Sequence, residues 1–429
     1  MKKEIQERIE SIKNNQLPKG YRRVKDIGIA PEDWTIGKMS DVIENVSRPV
    51  PKPNEPYWRL GIKSWAKGTF HAFVDDPETV NMDELYEVKE NDLIVNITFA
   101  WEHAIAIAKK EDDGLLVSHR FPTYVFKEGQ VPEYYQAIIT QRYFKDMLDH
   151  ISPGGAGRNR VLNRKAFLNL PCFIPPKEEQ EKIAEILSSF DNIIRLKKCL
   201  ISKKYHQKAW LMQNLLTCNS GFRLPKFNEE WESHIIGNLG KTYSGLTGKT
   251  NKDFGEGEPY IPYTNIFTNC IVNNDAFEYV KVLEGEKQNN VEYGDLFFTT
   301  SSETPQEVGM SSVYLGENTK LYLNSFCFGF RFDNFHIIRP EFAAYYFRSN
   351  FVKRILYKLA QGSTRYNLPI SDFMGESICI PPSTDEQQAI FNLLSSCDKE
   401  IDLLKKELQE WENRKQTYTK LLISGIVRV

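Results

Sequence analysis

No stretch of this chain carries the roughly 18 to 20 consecutive apolar residues that a membrane helix needs. Its opening, MKKEIQERIESIKNN, alternates charge with isoleucine where a signal peptide would have an apolar core. A cytoplasmic location is the expectation. Cysteine is sparse, seven residues in 429, odd in number and without a CxxC pair, which argues against a disulfide frame or a cysteine-ligated zinc site. The seven histidines are scattered with no ligand pair at i, i+4, so no metal is expected. Excess charge of one sign is missing too: 55 basic residues against 57 acidic ones leave a net charge of −2. A chain of that balance does not coat nucleic acid by bulk charge, and any nucleic-acid surface must be local.

Catalytic signatures are lacking as well. YSGLTGKT at Tyr243–Thr250 has Tyr243 where a phosphate-binding loop needs its first glycine. The proline pairs of FIPPK and CIPPS lack the Asn or Asp and the aromatic residue that orient a target amino group in DNA methyltransferases, and no glycine-rich loop follows a strand in a way that would hold S-adenosylmethionine. Glu87–Lys89 behind Asp75 or Asp76 has the spacing of a nuclease site, but such spacings arise by chance at 26% charged residues. No catalytic residue is assigned.

What the chain does have is duplication. IPPKEEQEKIAEIL from Ile174 returns as IPPSTDEQQAIFNLL from Ile380. WTIGKMSDVIENVS from Trp34 aligns without a gap on WESHIIGNLGKTYS from Trp231, VKENDLIVN from Val88 on VEYGDLFFT from Val291, PEYYQA from Pro132 on PEFAAY from Pro340, and SSFDNIIRL from Ser188 on SSCDKEIDL from Ser395. Matches in one order at a period of about 205 residues are too widely spaced for a solenoid, so each repeat is a domain with an attached element.

Within each globular part, DLIVNITF, TYVF, DLFFTT and FCFGFRF are aromatic and β-branched runs punctuated by Gly, Asn and Asp, and read as strands of a small mixed or antiparallel sheet. PEYYQAIITQRYFKDMLDHI and PEFAAYYFRSNFVKRILYKLA each read as an amphipathic helix opening at a proline.

After each IPP the texture changes to heptads. The predicted seam is Ile183, Leu187, Phe190, Ile194 and Ile201 in the first half, and Ile390, Leu394, Cys397, Ile401, Leu404, Leu408 and Trp411 in the second. Lys197, Lys204 and Lys208 interrupt the first seam. Each helix would run about 35 to 40 residues, on the order of 55 Å. Acids in the first turn (Glu178, Glu179, Asp385, Glu386) suit the helix dipole. Two such helices in one chain pair most simply as an antiparallel coiled coil with pseudo-twofold symmetry.

The loops before the last strand of each half also answer one another. SPGGAGRNRVLNRKAF from Ser152 and AQGSTRYNLPISDF from Ala360 share glycine, small residue, Arg and Asn, then Leu162 or Leu368 and, five residues on, Phe167 or Phe373. Glycine lets backbone N–H groups approach phosphate, while Arg158, Arg160 and Arg365 offer the planar fork that reads guanine or clamps phosphate, and Asn159 and Asn367 suit adenine. Tyr366 lies between them. Polar and basic clusters SRPVPKP, GIKSWAKG, SGLTGKTNK and TTSSETPQE add Arg48, Lys63, Thr247, Lys249 and Ser302 as candidate DNA-binding residues.

Two globular parts, each opened by W-x4-[MI]-[SG]-[DN] and closed by IPP and a long helix containing Glu-Gln, resemble the specificity subunit of type I restriction–modification systems over nearly the whole chain. The most specific marks are IPPKEEQEKIAEILSSFD and IPPSTDEQQAIFNLLSSCD; GDLFFTTSSETPQEVG fits the same group. The resemblance implies an α+β fold: an N-terminal helix (1–20), a target-recognition domain (21–174), a central long helix (175–222), a second recognition domain (223–380) and a C-terminal long helix (381–429). It further implies a non-catalytic subunit that reads a bipartite site on double-stranded DNA. Its partners would be two modification subunits and two restriction subunits, which hold S-adenosylmethionine, ATP and Mg, with no cofactor in this chain. The N-terminal helix would complete the second repeat. A coiled-coil scaffold without DNA specificity, and a fused methyltransferase or nuclease, are the alternative readings.

Overall fold

The structure, a computed structural model, describes residues 3–25, 27–155, 160–218 and 221–429. The chain divides into two compact units, one of Met1–Lys197 with Glu407–Val429 and the other of Lys198–Lys406. Counting helices of seven residues or more, the order is α1 (Lys3–Lys13), α2 (Pro132–Ile139), α3 (Arg142–His150), α4 (Lys177–Leu215), α5 (Pro340–Tyr346), α6 (Asn350–Leu359) and α7 (Thr384–Ile423). No helix among the described residues is long and apolar enough to cross a membrane.

Each unit is built on a four-stranded antiparallel sheet with the same strand order. In the first unit the order is Ile105–Ile107, Leu93–Val95, Thr123–Phe126, Ile43–Val46; in the second it is Ser311–Val313, Leu296–Thr299, Cys327–Phe332, Gly240–Ser244. Leu93–Val95, Ile105–Ile107, Leu296–Thr299 and Ser311–Val313 are buried throughout, as strands covered on both faces require, while the edge strands Ile43–Val46 and Gly240–Ser244 expose Glu44, Asn45, Lys241 and Thr242. A two-stranded ribbon closes each unit: Thr35–Lys38 with Pro171–Ile174, and Glu232–Ile235 with Ser377–Ile380. The units part company in a second sheet. It has five strands in the first unit, including the hairpin Tyr57–Ile62 and Thr69–Val74, and three in the second.

The two segments read as single helices are each split in two. α2 and α3 break at Thr140–Gln141, where the Gln141 side chain donates to the Ala137 carbonyl at 2.8 Å. α5 and α6 break at Phe347–Ser349, where Ser349 caps the new helix by accepting the Val352 N–H. The second break frees Arg348 to donate to the carbonyls of Ser311, Ile266, Phe267 and Asn269 at 2.5–3.0 Å.

The repeated sequence marks form one joint in each unit. Gln180 is buried; its Oε1 accepts the N–H of Val131, the residue capping α2, at 3.0 Å, and its Nε2 donates to the Pro175 carbonyl at 2.9 Å. Gln387 does the same in the second unit, accepting the N–H of Arg339, which caps α5, at 2.8 Å and donating to Pro381 O at 2.9 Å. The IPP, Glu-Gln and Pro-Glu motifs recur together because the glutamine ties the strand's exit, the long helix and a core helix into one fully satisfied buried knot.

The glutamate before each glutamine makes a second knot. Glu179 accepts from Arg428 Nε at 2.7 Å and from Trp34 Nε1 at 2.9 Å, with the Arg428 guanidinium 6.0 Å from the Trp34 ring centre. Glu386 accepts both arms of Arg223, at 2.8 and 2.6 Å, and Arg223 lies 5.9 Å from the Trp231 ring centre. The fork of Arg223 takes both carboxylate oxygens, and Trp231 Nε1 has no hydrogen-bond partner among the described residues. At the N-terminus, Arg8 of α1 donates to Ile426 O at 3.1 Å and Tyr21 to Gly425 O at 2.6 Å.

In each unit α4 and α7 pack antiparallel. In the first unit Phe190 lies 5.9 Å from Trp411 and 5.5 Å from Tyr418, Asp191 pairs with Lys415, and Lys197 with Glu407 at 2.6 Å. In the second unit Lys204 pairs with Glu400 at 2.8 Å and Lys208 with Asp398. Of the seam residues, Ile183, Leu187, Ile194, Ile390, Leu394 and Ile401 are buried, while Phe190, Ile201, Cys397, Leu404, Leu408 and Trp411 are half-buried. The lysines at 197, 204 and 208 are not gaps in the seam. Each extends its stem along the pair and ends on an acid of α7.

Candidate nucleic-acid interface

In both units three loop segments meet at the end of the four-stranded sheet, and the same two backbone bonds tie them. In the first unit Ile97 N–H donates to Arg120 O at 3.0 Å and Leu162 N–H to Ile97 O at 2.9 Å. In the second, Thr300 N–H donates to Phe326 O at 3.1 Å and Leu368 N–H to Thr300 O at 3.0 Å. Leu162 and Leu368 are buried and pin the junction to the core. Leu162 and Leu368, which follow the two glycine-containing loops, are thereby placed against the segment after the matched D-L strand.

The side chains on this common frame differ. In the second unit Ser302 pairs with Tyr366 and Ser301 with Asn367 in a two-residue ladder, and Asn367 exchanges backbone bonds with Gln361. Arg365 is exposed, donates from Nε to Ser301 Oγ at 3.0 Å, and lies 5.9 Å from the ring centre of Phe326, itself 56% exposed. The structure thus brings Ser302, Arg365, Tyr366 and Asn367 together.

In the first unit Arg160 lies over Trp101 at 5.2 Å and is held by the Ser152 carbonyl at 3.0 Å and by Asp149. Arg120 donates to Thr98 Oγ1 at 3.3 Å. Arg158 and Asn159 lie outside the described residues. Lys63 is exposed in the tip loop of the hairpin, which is fastened to Glu102 and His103 beside Trp101.

The remaining candidates sit elsewhere, and two are already engaged. Arg48 grips Asp92 with both arms, at 2.5 and 3.1 Å, and Asp92 also accepts the Lys89 N–H at 2.8 Å. Asp295 plays the same part in the second unit, where it accepts the Glu292 N–H at 2.8 Å, Arg331 at 2.9 and 2.7 Å, and the Tyr243 hydroxyl at 2.7 Å. The aspartate of the V-x-x-[N/G]-D-L match is therefore a buried turn anchor in both halves, and an arginine from a different sequence position neutralises it in each. Burial and the Asp295 carboxylate push the Tyr243 hydroxyl pKa well up.

Lys249 is correspondingly committed. Its side chain is nearly buried, donating to Lys281 O at 2.6 Å and pairing with Glu286 at 2.6 Å. That bond, with the Leu283 N–H, draws the Glu286 carboxyl down to about 2. Lys249 organises the loop rather than reaching out of it. Thr247 is exposed, its backbone bonded on both sides by the Gln288 amide at 3.1 and 2.8 Å.

Phe99, Trp101, Arg120 and Phe326 at the junction were not singled out by sequence. Phe99 and Phe326 sit at the ends of the runs DLIVNITF and FCFGFRF that read as strands, Trp101 and Arg120 lie outside the quoted runs, and no periodicity marks an exposed aromatic residue in a loop. His103 shows how tightly the first junction is built. Its left-handed backbone (φ 66°) turns the chain, and its buried ring meets Ile139 O at 2.6 Å, a contact that requires the proton on Nε2. Burial lowers its pKa and keeps it neutral.

Among the described residues no group of three or more His, Cys, Asp or Glu could hold a metal ion.

The family model described as the type I restriction modification DNA specificity domain matches the chain twice, over residues 31–203 and 228–413. Two curated relatives from Methanocaldococcus jannaschii, a putative type I restriction enzyme MjaX specificity subunit and the type I restriction enzyme MjaVIII specificity subunit, are each 24% identical. The alignments cover 94% and 93% of this chain and 96% and 94% of theirs. Among solved structures, the HsdS subunit from Thermoanaerobacter tengcongensis superposes with a TM-score of 0.54 at 16% identity, covering 93% of this chain and 98% of that one. A chain from a structure titled for complex assembly and conformational transition of the type I R-M system gives 0.60 at 15% identity, over 93% and 99%. At such identities the structural likeness concerns the fold.

Proposed function

This chain belongs to the type I restriction–modification DNA specificity family and is the non-catalytic, target-recognising subunit of such a system; from that premise we propose that each unit reads one half of a bipartite site through its loop junction. The observation that carries the proposal is the pair of backbone bonds shared by the two junctions, which fixes a common frame while the side chains on it differ. Ser302, Arg365, Tyr366, Asn367 and Phe326 face one half-site, and Arg160, Arg120, Trp101 and Lys63 the other. Arg48 and Lys249 act as internal anchors of their loops. The ion-paired helices α4 and α7 set the gap between half-sites and dock the modification subunits. Two modification and two restriction subunits complete the assembly in the cytoplasm and hold S-adenosylmethionine, ATP and Mg, while this chain supplies sequence choice.

The proposal is tested by comparing target and scrambled duplexes in the presence of a modification subunit of the same system. Preference for the target supports it; equal affinity leaves a helical scaffold. Arg365→Ala separates base from phosphate contact: loss of about 1–3 kcal/mol of discrimination at one half-site marks base reading, and uniform weakening marks phosphate.

A further inference from the structure

The tip of the hairpin in the first unit, Lys63–Gly68, is held in a backbone conformation that its side chains disfavour. Trp65 and Ala66 both lie in the left-handed region, at φ 65° and 48°, and the residue they are bonded beside, His103, does too. For a bulky residue such a φ is an outlier, and it persists only where the surroundings over-determine it. Here they do. Trp65 N–H donates to Glu102 O at 2.9 Å, Ala66 N–H to His103 O at 2.8 Å and Lys63 N–H to Gly68 O at 2.9 Å. Ser64 Oγ donates to the Glu102 carboxylate at 2.7 Å, and the Ala66 methyl packs on the core.

None of these contacts uses the indole. Trp65 remains 63% exposed, with Lys145 Nζ 5.2 Å from its ring centre. Glycine or asparagine would suit the backbone better, and among the described residues the indole's contact is the partly exposed approach of Lys145. Its neighbours Lys63 and Lys67 are exposed as well. An exposed aromatic ring on a fixed backbone, with exposed lysines on either side in sequence, is the arrangement that binds a base by its π-face and the adjoining phosphates by charge.

We propose that Trp65 is a base-contacting wedge: its indole stacks against a base of the half-site read by the first unit and opens that base step, while Lys63 and Lys67 hold the flanking phosphates. The inference rests on the DNA-reading role above. It assigns the wedge to one unit only, which makes the DNA deformation asymmetric between half-sites.

The test uses the complex with a modification subunit and the duplex that this complex selects from a random-sequence library, carrying 2-aminopurine at successive positions of both half-sites. Wild type should show a fluorescence rise at one position in one half-site. Trp65→Gly and Trp65→Ala should abolish that rise, weaken target binding about tenfold or more and leave scrambled-duplex binding unchanged, and Trp65→Gly should melt no lower than wild type because glycine relieves the backbone strain. Trp65→Phe should keep part of the rise. The inference is overturned if wild type opens no position, if Trp65→Gly binds the target as wild type does, or if it weakens target and scrambled duplex alike. Wild type failing to prefer the target at all would instead overturn the DNA-reading role itself.

Discussion

Arg428, one residue from the end of the chain, holds Glu179 in the first turn of α4 at 2.7 Å. The carboxylate is nearly buried, with 7% of its side chain exposed, and Trp34 Nε1 supplies another donor. Arg223 and Glu386 repeat the contact in the second unit at the start of α7. Each glutamate starts a long helix, and each arginine follows the end of one.

Removing one member should leave a buried carboxylate short of donors. Arg428→Ala is predicted to destabilise the first unit by about 1–3 kcal/mol, read by urea unfolding. Pairing it with Glu179→Met should recover much of the loss, because no charge is then stranded. Equal instability of single and double variants would contradict this.

Gln180→Leu and Gln387→Leu test the glutamine joint. Each strands a buried backbone N–H and a proline carbonyl, at a cost of about 1–3 kcal/mol. Gln180→Glu should be little better, since its carboxylate cannot donate to Pro175 O. Wild-type stability of the leucine variants would show that the joint is dispensable.

The joints explain what was legible in the sequence and what was not. IPP, Glu-Gln and Pro-Glu recur because each residue fills a fixed geometric need at one place, and a short motif records such a need. Helix length follows from the heptads, and pairing direction from their recurrence in the two halves of one chain. Lys197, Lys204 and Lys208 looked like breaks in the seam because a periodicity of apolar residues cannot show an acid on the opposing helix. The splits at Thr140 and Phe347 escaped because amphipathic spacing continues through them, while a side-chain bond from Gln141 back to the Ala137 carbonyl and the distant carbonyls that hold Arg348 accompany the breaks. Loop contacts such as Arg48 with Asp92 or Arg160 over Trp101 depend on segments distant in sequence. An arginine bound for an internal aspartate has the same local sequence signal as one bound for DNA.

Reversing charge across the helix pair isolates its electrostatic share. Lys204→Glu should lower stability by about 0.2–1 kcal/mol, since both partners are partly exposed, and adding Glu400→Lys should restore it. The restoring effect should shrink in high salt. Additive losses in the double variant would show that the two side chains do not meet.

His103 gives the first unit a pH dependence of definite sign. Burial depresses its pKa below the ordinary 6.5, so the unfolded chain takes up the proton first as pH falls. The histidine's contribution is therefore whole above about pH 6.5 and declines below it, by up to about 1.4 kcal/mol per pH unit, until the folded ring also protonates. His103→Asn, which tolerates the left-handed backbone, should flatten the decline between pH 7.5 and 5. An unchanged slope would assign the acid sensitivity to other groups.

The central claim is that two reading units share a helical ruler. Deleting one heptad from each helix, residues 198–204 and 400–406, removes segments that face each other in the antiparallel pair and shortens it by about 10 Å, the rise of about 3 base pairs. Mapping methylated sites with the reconstituted complex should then give the same two half-sites at a gap about 3 base pairs shorter. An unchanged gap, or altered half-sites at the original gap, would contradict the account.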